Sequence, residues 1–238
     1  MKKIFSIFGP TGIGKSSLAI ELAKKSNGEI IGVDSRQIYK GIAVGTAQPS
    51  PAQIERIQHH LIGIKELNEK ISAGEYITLI DEKIDQILSE GKTPILCGGT
   101  GLYFKSLIEG IFEGSHTNEK IRNSLEEEYE INKEKLYERL QKFDPNYATK
   151  VHINNKKRLV RALEIFKTTG KTMSENFDLI PKTSKYADNY YFVYLRMNNE
   201  LLHPRIYKRI GVMVEDGMVN EVQKILSKKI DISHINYI

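Results

Sequence analysis

The 238-residue chain is 40% hydrophobic and 27% charged with a net charge of +5, a balance that excludes a disordered or fibrous chain and fits an ordinary α/β protein with room for an insertion. No run approaches the roughly 20 apolar residues of a membrane span, the single cysteine, Cys97, excludes an intramolecular disulfide, and the first residues MKKIFSIFGP are too short an apolar run for a signal peptide. A cytoplasmic protein without membrane association is therefore expected, and its mild positive charge permits a nucleic-acid partner without demanding one.

Ile4, Phe5, Ile7 and Phe8 predict a first strand, followed at once by GPTGIGKS, a match to G-x-x-x-x-G-K-[ST]. In this run of Gly9, Pro10, Thr11, Gly12, Ile13, Gly14, Lys15 and Ser16, the glycines allow successive N–H groups to turn inward on an anion. Lys15 adds a point charge, and the helix expected from Ser16 to Lys25 aims its positive dipole end at the same place. The Ser16 hydroxyl suits the Mg²⁺ that accompanies a diphosphate. The pattern specifies a phosphoanhydride or diphosphate ligand and names no reaction.

After an Asn27-Gly28 turn, Ile30 to Val33 reads as a buried parallel strand that closes on Asp34. Ligands of open α/β sheets bind at the carboxyl edge of the strands, the edge that also carries a phosphate loop. Asp34 is thus a candidate site carboxylate; a helix or turn cap is its plainer alternative. Ser35 to Gly45 reads as a loop over the site rather than core. Ser50-Pro51 predicts the start of a short helix running to about Ile57, and His60 to Ile64 a brief strand. His59 and His60 have no partner at ligand spacing and are read as structural. Ser72 to Glu75 forms a capping box for a helix closed by Gly91.

Pro94 opens another buried strand, Ile95 to Cys97, which ends in Gly98-Gly99-Thr100-Gly101. A nucleotide hydrolase would commonly carry its metal-binding aspartate here, so the glycines weaken that reading. They leave Asp34 as the carboxylate on a strand end near the loop and offer the Thr100 hydroxyl. From about Ser115 to Lys185 the signals are helical: Ile121, Leu125 and Tyr129, then Leu136, Leu140 and Phe143, a short helix at Asp144-Pro145, and a helix capped by Asn155 and ended by Gly170. On that last helix Lys157, Arg158 and Arg161 converge at i, i+1 and i+4, either as an anion-binding face or as an ordinary solvated one. Tyr190 to Leu195 restores a strand pattern. A final helix is expected to turn Ile206, Ile210 and Met213 inward and to carry Arg205 and Arg209 one turn apart, close enough for one of them to reach the phosphate loop.

Together these predict an α/β fold: a P-loop NTPase-like parallel sheet flanked by helices with an inserted all-helical domain, divided as 1–114, 115–185 and 186–238. GPTGIGKS, VDSRQIYKG with GTAQP, CGGTGLYFKSLIEG, KRLVRALEIFKTTGK and LHPRIYKRIGVMVEDG occur in the order and spacing of the tRNA dimethylallyltransferases, which the chain resembles over essentially its whole length. The resemblance implies transfer of a dimethylallyl group from dimethylallyl diphosphate to N6 of adenosine 37 in tRNAs reading codons that begin with U, with Mg²⁺ as cofactor and the anticodon stem-loop bound by a monomer. It implies that Gly9 to Ser16 hold the diphosphate, that Asp34 accepts the N6 proton, and that Thr100 and Arg209 assist at the reacting centre and leaving group. The segments Asp34, Ser35, Arg36, Gln37 and Lys157, Arg158, Leu159, Val160, Arg161 match tRNA-contacting segments. Family members typically continue for several more helices, so a C-terminal truncation is expected, the apolar Ile235 and Ile238 fitting a segment cut mid-element. The alternatives are an adenylate isopentenyltransferase acting on free AMP, ADP or ATP, and a P-loop small-molecule kinase.

Overall fold

In the computed structural model, which describes residues 3–110, 117–179, 185–228, 230 and 232, β1 (Ile4–Phe8) leads through the glycine loop into α1 (Lys15–Ser26). Gly14 stands left-handed at φ 107° before that helix, and Asn27 at φ 47° ends it. There follow β2 (Gly28–Val33), α2 (Pro51–Arg56), β3 (His59–His60), α3 (Ala73–Ser89), β4 (Thr93–Gly98) and α4 (Gly101–Glu109). The capping boxes at Ser50/Gln53 and Ser72/Glu75 form as reciprocal side-chain to backbone bonds, which is why α2 and α3 start there.

The second unit, Ile108–Ser184, holds α5 (Glu119–Phe143), α6 (Pro145–Ala148), α7 (Lys156–Thr169) and α8 (Met173–Asp178). Non-helical geometry at Asn132 breaks α5 into two stretches, and the Asn132 side chain caps the second by accepting from Lys135 N at 2.9 Å. This unit has a core of its own, built on Leu125, Leu136, Leu140, Leu159, Leu163 and Ile165. The first unit, Met1–Leu107 with Lys185–Ile238, is completed by β5 (Tyr190–Tyr194), α9 (Asn199–Glu215) and α10 (Met218–Ser227). The first expected boundary, at 114–115, and Ile235 and Ile238 fall outside the described residues.

The five strands form one parallel sheet in the order β3-β2-β4-β1-β5. One face packs Ile7, Ile30 and Ile95 against Ala19 and Ala23 of α1. The other packs Ile31, Val33 and Leu96 against Tyr76, Ile80, Ile84 and Ile87 of α3 and Tyr103, Phe104 and Leu107 of α4. Burial on both faces explains the unbroken apolar runs, and each fully buried Ile or Leu contributes about 1.5–3 kcal/mol.

Three expectations are corrected. The brief strand at His60 to Ile64 is only His59–His60, because Leu61 (φ 59°) and Gly63 (φ 57°) take left-handed conformations that end the ladder. His60 pairs instead with Glu29, itself 7% exposed, at 2.6 Å, and Glu29 also accepts from Lys92 at 2.5 Å. The Ser35–Gly45 loop is not all surface: Ile38 and Tyr39 are buried in the main core, and Tyr39 bridges Lys65. In α9 it is Leu202 that is buried, whereas Ile210 is 46% exposed, because the helix meets the sheet edge through its amino-terminal half.

On α3, Asp81 Oδ1 is buried without a hydrogen-bond partner among the described residues. Burial first, then the nearby Asp85, raises its pKa from 3.8 to about 6 against the pull of Lys185. Between those values the native state holds a proton that the unfolded chain has released, so Asp81 lowers stability as pH rises through that window. Asp81→Asn should therefore melt higher than the parent chain above about pH 6 and match it below about pH 3.8, as checked by melting curves across pH.

Candidate active site at the carboxyl edge of the sheet

Register brings three strand ends level: Gly98 of β4 pairs with Phe8 of β1 on one side and with Val33 of β2 on the other. A Cβ on Gly98 would fall 1.9 Å from the Val33 carbonyl oxygen, so the close approach admits only glycine. From this level the chain departs as the phosphate loop after β1, as Asp34 after β2 and as Gly99-Thr100 after β4. Their meeting follows from strand order.

Gly12 (φ 81°) and Gly14 (φ 107°) give the phosphate loop its turn. Lys15 Nζ donates to the carbonyls of Gly9 (2.9 Å) and Pro10 (2.8 Å). Burial holds its pKa below the ordinary lysine value, with Cys97 and Asp34 pulling upward and Arg209 adding to the fall. Asp34 has its N–H 3.3 Å from the Tyr76 hydroxyl, while Tyr76 donates to the Gly32 carbonyl at 2.9 Å. One carboxylate oxygen of Asp34, Oδ1, accepts from Arg36 N (2.9 Å) and Gln37 N (3.3 Å). The other, Oδ2, faces the glycine backbone: a Cβ built at Gly99 would lie 3.9 Å from Asp34 Oδ2 and 3.9 Å from Lys15 Nζ. Oδ1 thus serves the turn, while Oδ2 accepts no hydrogen bond from the described residues.

Thr100 closes on the residue that follows Asp34. Its Oγ1 accepts from Ser35 N at 3.0 Å and donates to Ser35 Oγ at 3.5 Å, tying β4 to the Asp34 turn. Both arginines of α9 reach the loop side. A Cβ on Gly12 would sit 3.1 Å from Ile206 Cγ1, and one on Gly14 3.7 Å from Arg205 Nη2, while Arg209 is felt electrostatically at Lys15. Both arginines, and not one of them alone, thus stand near the loop. Cys97 is an addition to the site: its thiol interacts with Ser16, Lys15 and Asp34, and burial pushes its pKa up to about 11, so it is an inert wall of the site.

The expected tRNA-contacting segments divide. Gln37 turns its amide into its own loop, donating to the carbonyls of Thr46 and Ala47 at 2.9 Å each, and Arg36 Nε is buried with no hydrogen-bond partner among the described residues. In the helical unit Lys157 and Arg158 are exposed, whereas the side chains of Leu159 and Val160 are 0% and 2% exposed and fill that unit's core. Arg161 does not simply join the basic face either. It donates to Glu164 Oε2 at 2.8 Å, as does Arg122 Nη2 at 2.8 Å, and Glu164 Oε1 accepts from Asn118 N. Glu164 is 0% exposed, and removing a partner from a buried charge cluster costs about 3–5 kcal/mol. Glu164→Ala should therefore destabilise this unit by that amount, read as an earlier denaturant midpoint.

An ion-binding cluster of three or more His, Cys, Asp or Glu is not found among the described residues, and no described helix is long and apolar enough to cross a membrane. The family model of the IPP transferases matches residues 37–237. The tRNA dimethylallyltransferase of Anoxybacillus flavithermus is 41% identical over 225 residues, covering 94% of this chain and 71% of that protein. That of Acetivibrio thermocellus is 41% identical over 237 residues, 99% of this chain and 75% of that protein. A eukaryotic dimethylallyltransferase solved acting on tRNA superposes with a TM-score of 0.81 at 33% identity, over 96% of this chain and 56% of that one. The full-length tRNA isopentenylpyrophosphate transferase of Bacillus halodurans gives 0.64 at 35% identity, over 97% and 72%.

Proposed function

The chain belongs to the IPP transferase family, and from that premise we propose that it transfers the dimethylallyl group of dimethylallyl diphosphate to N6 of adenosine 37 in tRNAs reading codons that begin with U. The observation that carries the reading is at Gly99, where a carboxylate oxygen that accepts no hydrogen bond from the described residues and a phosphate-loop ammonium both lie 3.9 Å from the place of a Cβ. An allylic carbon bound between them would have its leaving group on the lysine side and its nucleophile on the aspartate side.

In the reaction, the adenine amine forms the new C–N bond as the C–O bond to diphosphate breaks. The exocyclic amine is a weak nucleophile; Asp34 Oδ2 orients its N–H and accepts the proton that leaves. Charge developing on the diphosphate is stabilised by the inward N–H groups of the loop, by Lys15, and by the guanidinium groups of Arg205 and Arg209. Thr100 holds the Asp34 turn through Ser35. The base has to leave its stack to reach these groups, and an RNA loop is where a base can be drawn out; on the helical unit by itself, the exposed Lys157 and Arg158 suit RNA phosphates.

A divalent ion fits these residues: Mg²⁺ takes one or two protein ligands and completes its shell with phosphate oxygens and water, which Ser16 and a bound diphosphate supply without a carboxylate cluster. It would contribute neutralisation of the leaving group. The relatives described above are tRNA enzymes, so the free-nucleotide and kinase alternatives gain no support. Incubation with unmodified tRNA and dimethylallyl diphosphate, followed by nucleoside mass spectrometry, should show the prenyl mass on one adenosine next to the anticodon. Prenylation of free AMP but not tRNA, or phosphoryl transfer from ATP, would replace this reading.

A further inference from the structure

The loop that carries Asp34 is tied to a residue 177 positions away. Glu221, in the first turn of α10, accepts from Val44 N with Oε2 and from Gly45 N with Oε1, both at 2.9 Å. These are the far end of the segment that begins at Asp34. Its middle is braced by two amides: Gln37 Nε2 donates to Thr46 O and Ala47 O, and Gln48 Nε2 to Gln37 O and Tyr39 O. The braces make the segment one rigid piece, but they are internal to it. Glu221 ties its tip to α10.

The helix before α10 touches the opposite side of the site. Ile206 and Leu202 of α9 pack at Gly12, and Arg205 lies at Gly14. The α9–α10 hairpin therefore holds the phosphate loop with one arm and the Asp34 segment with the other. We infer that Glu221 is a positioning residue for the transfer proposed above: it sets the Asp34 segment at the right distance from the phosphate loop, and so aligns the accepting base with the donor. Two charge-assisted bonds from one carboxylate to consecutive N–H groups form a fork that fixes direction as well as distance, and misplacement of a reacting group by about 1 Å costs on the order of 10²-fold in rate.

This rests on the transfer reading, and the test separates the two: if the parent chain does not prenylate tRNA, that reading fails, while Glu221 is still judged on binding. Glu221→Ala should lose about 10- to 100-fold in transfer and weaken tRNA binding, with diphosphate affinity by calorimetry unchanged, because Glu221 does not touch the phosphate loop, and with only the small fall in melting midpoint that losing two accepted N–H bonds brings. The Val44 and Gly45 amides should exchange with solvent faster. Gly45→Ala approaches the same contact from the other side: its Cβ would meet Glu221 Oε1 at 3.3 Å and Met218 Cγ at 3.7 Å. It should show the same split, and in the Glu221→Ala background it should add little, as expected for groups acting through one contact. Equal transfer and tRNA affinity in Glu221→Ala and parent, or losses that merely track a lowered melting midpoint, would overturn the inference. So would full additivity of the two substitutions.

Discussion

Asp34→Asn should bind the diphosphate as the parent chain does and lose about 10²- to 10⁴-fold in single-turnover transfer to saturating tRNA, about 3–5 kcal/mol at 1.36 kcal/mol per tenfold. The geometry makes asparagine diagnostic. Oδ1, which accepts from Arg36 N and Gln37 N, survives in the amide, so the turn keeps both bonds. Oδ2, which faces Gly99, becomes an NH₂ that can no longer take a proton. If Asp34 only capped the turn, asparagine would be silent in transfer. Asp34→Ala removes both oxygens and should lose transfer together with about 0.5–2 kcal/mol of stability, the range for side-chain caps of backbone N–H groups. A near-parental transfer rate for Asp34→Asn would falsify the general-base assignment.

Lys15→Met should weaken diphosphate binding by about 2–5 kcal/mol, the range for truncating one partner of a buried charged pair, or roughly 30- to 5,000-fold. Methionine keeps most of the aliphatic stem, so the substitution isolates the ammonium. In the structure that ammonium is not a solvated point charge: it is half-buried and closes on the carbonyls of Gly9 and Pro10. Transfer to the diphosphate then exchanges two internal bonds for two to phosphate oxygens, and some of the loop's rigidity before binding is lost in the variant as well. Calorimetry with inorganic diphosphate and with dimethylallyl diphosphate should show the same weakening, because the lysine reads the anion and not the prenyl group. A loss confined to the prenylated ligand would move Lys15 away from the diphosphate.

The parts of this protein legible in its sequence are those written within a few residues. GPTGIGKS is a local code because the loop's backbone geometry and the helix behind it are set by neighbours at one to seven positions. The Ser50-Pro51 cap and the capping box at Ser72 placed helix starts for the same reason, and buried apolar runs marked β2 and β4. Even Asp34 could be singled out, since a strand's end is visible where the apolar run stops.

What tertiary structure alone decided lies at long range. Whether Ile38 and Tyr39 were surface or core depended on the far wall they meet, and the pairing of Arg161 with the buried Glu164, which it shares with Arg122, 39 positions earlier in another helix, is visible only in the folded chain. Which oxygen of Asp34 stays free was fixed by the turn at Arg36 and Gln37 together with the approach of Gly99 across the sheet. Glu221 carries no signal in its own surroundings: an acidic residue in a helix's first turn already satisfies the helix dipole, and only the folded chain shows that its oxygens are spent on Val44 and Gly45. Local hydrogen bonding and periodicity are recorded in spacing, whereas contacts across 40 to 177 residues are selected by shape and burial and leave no periodic trace in a single sequence.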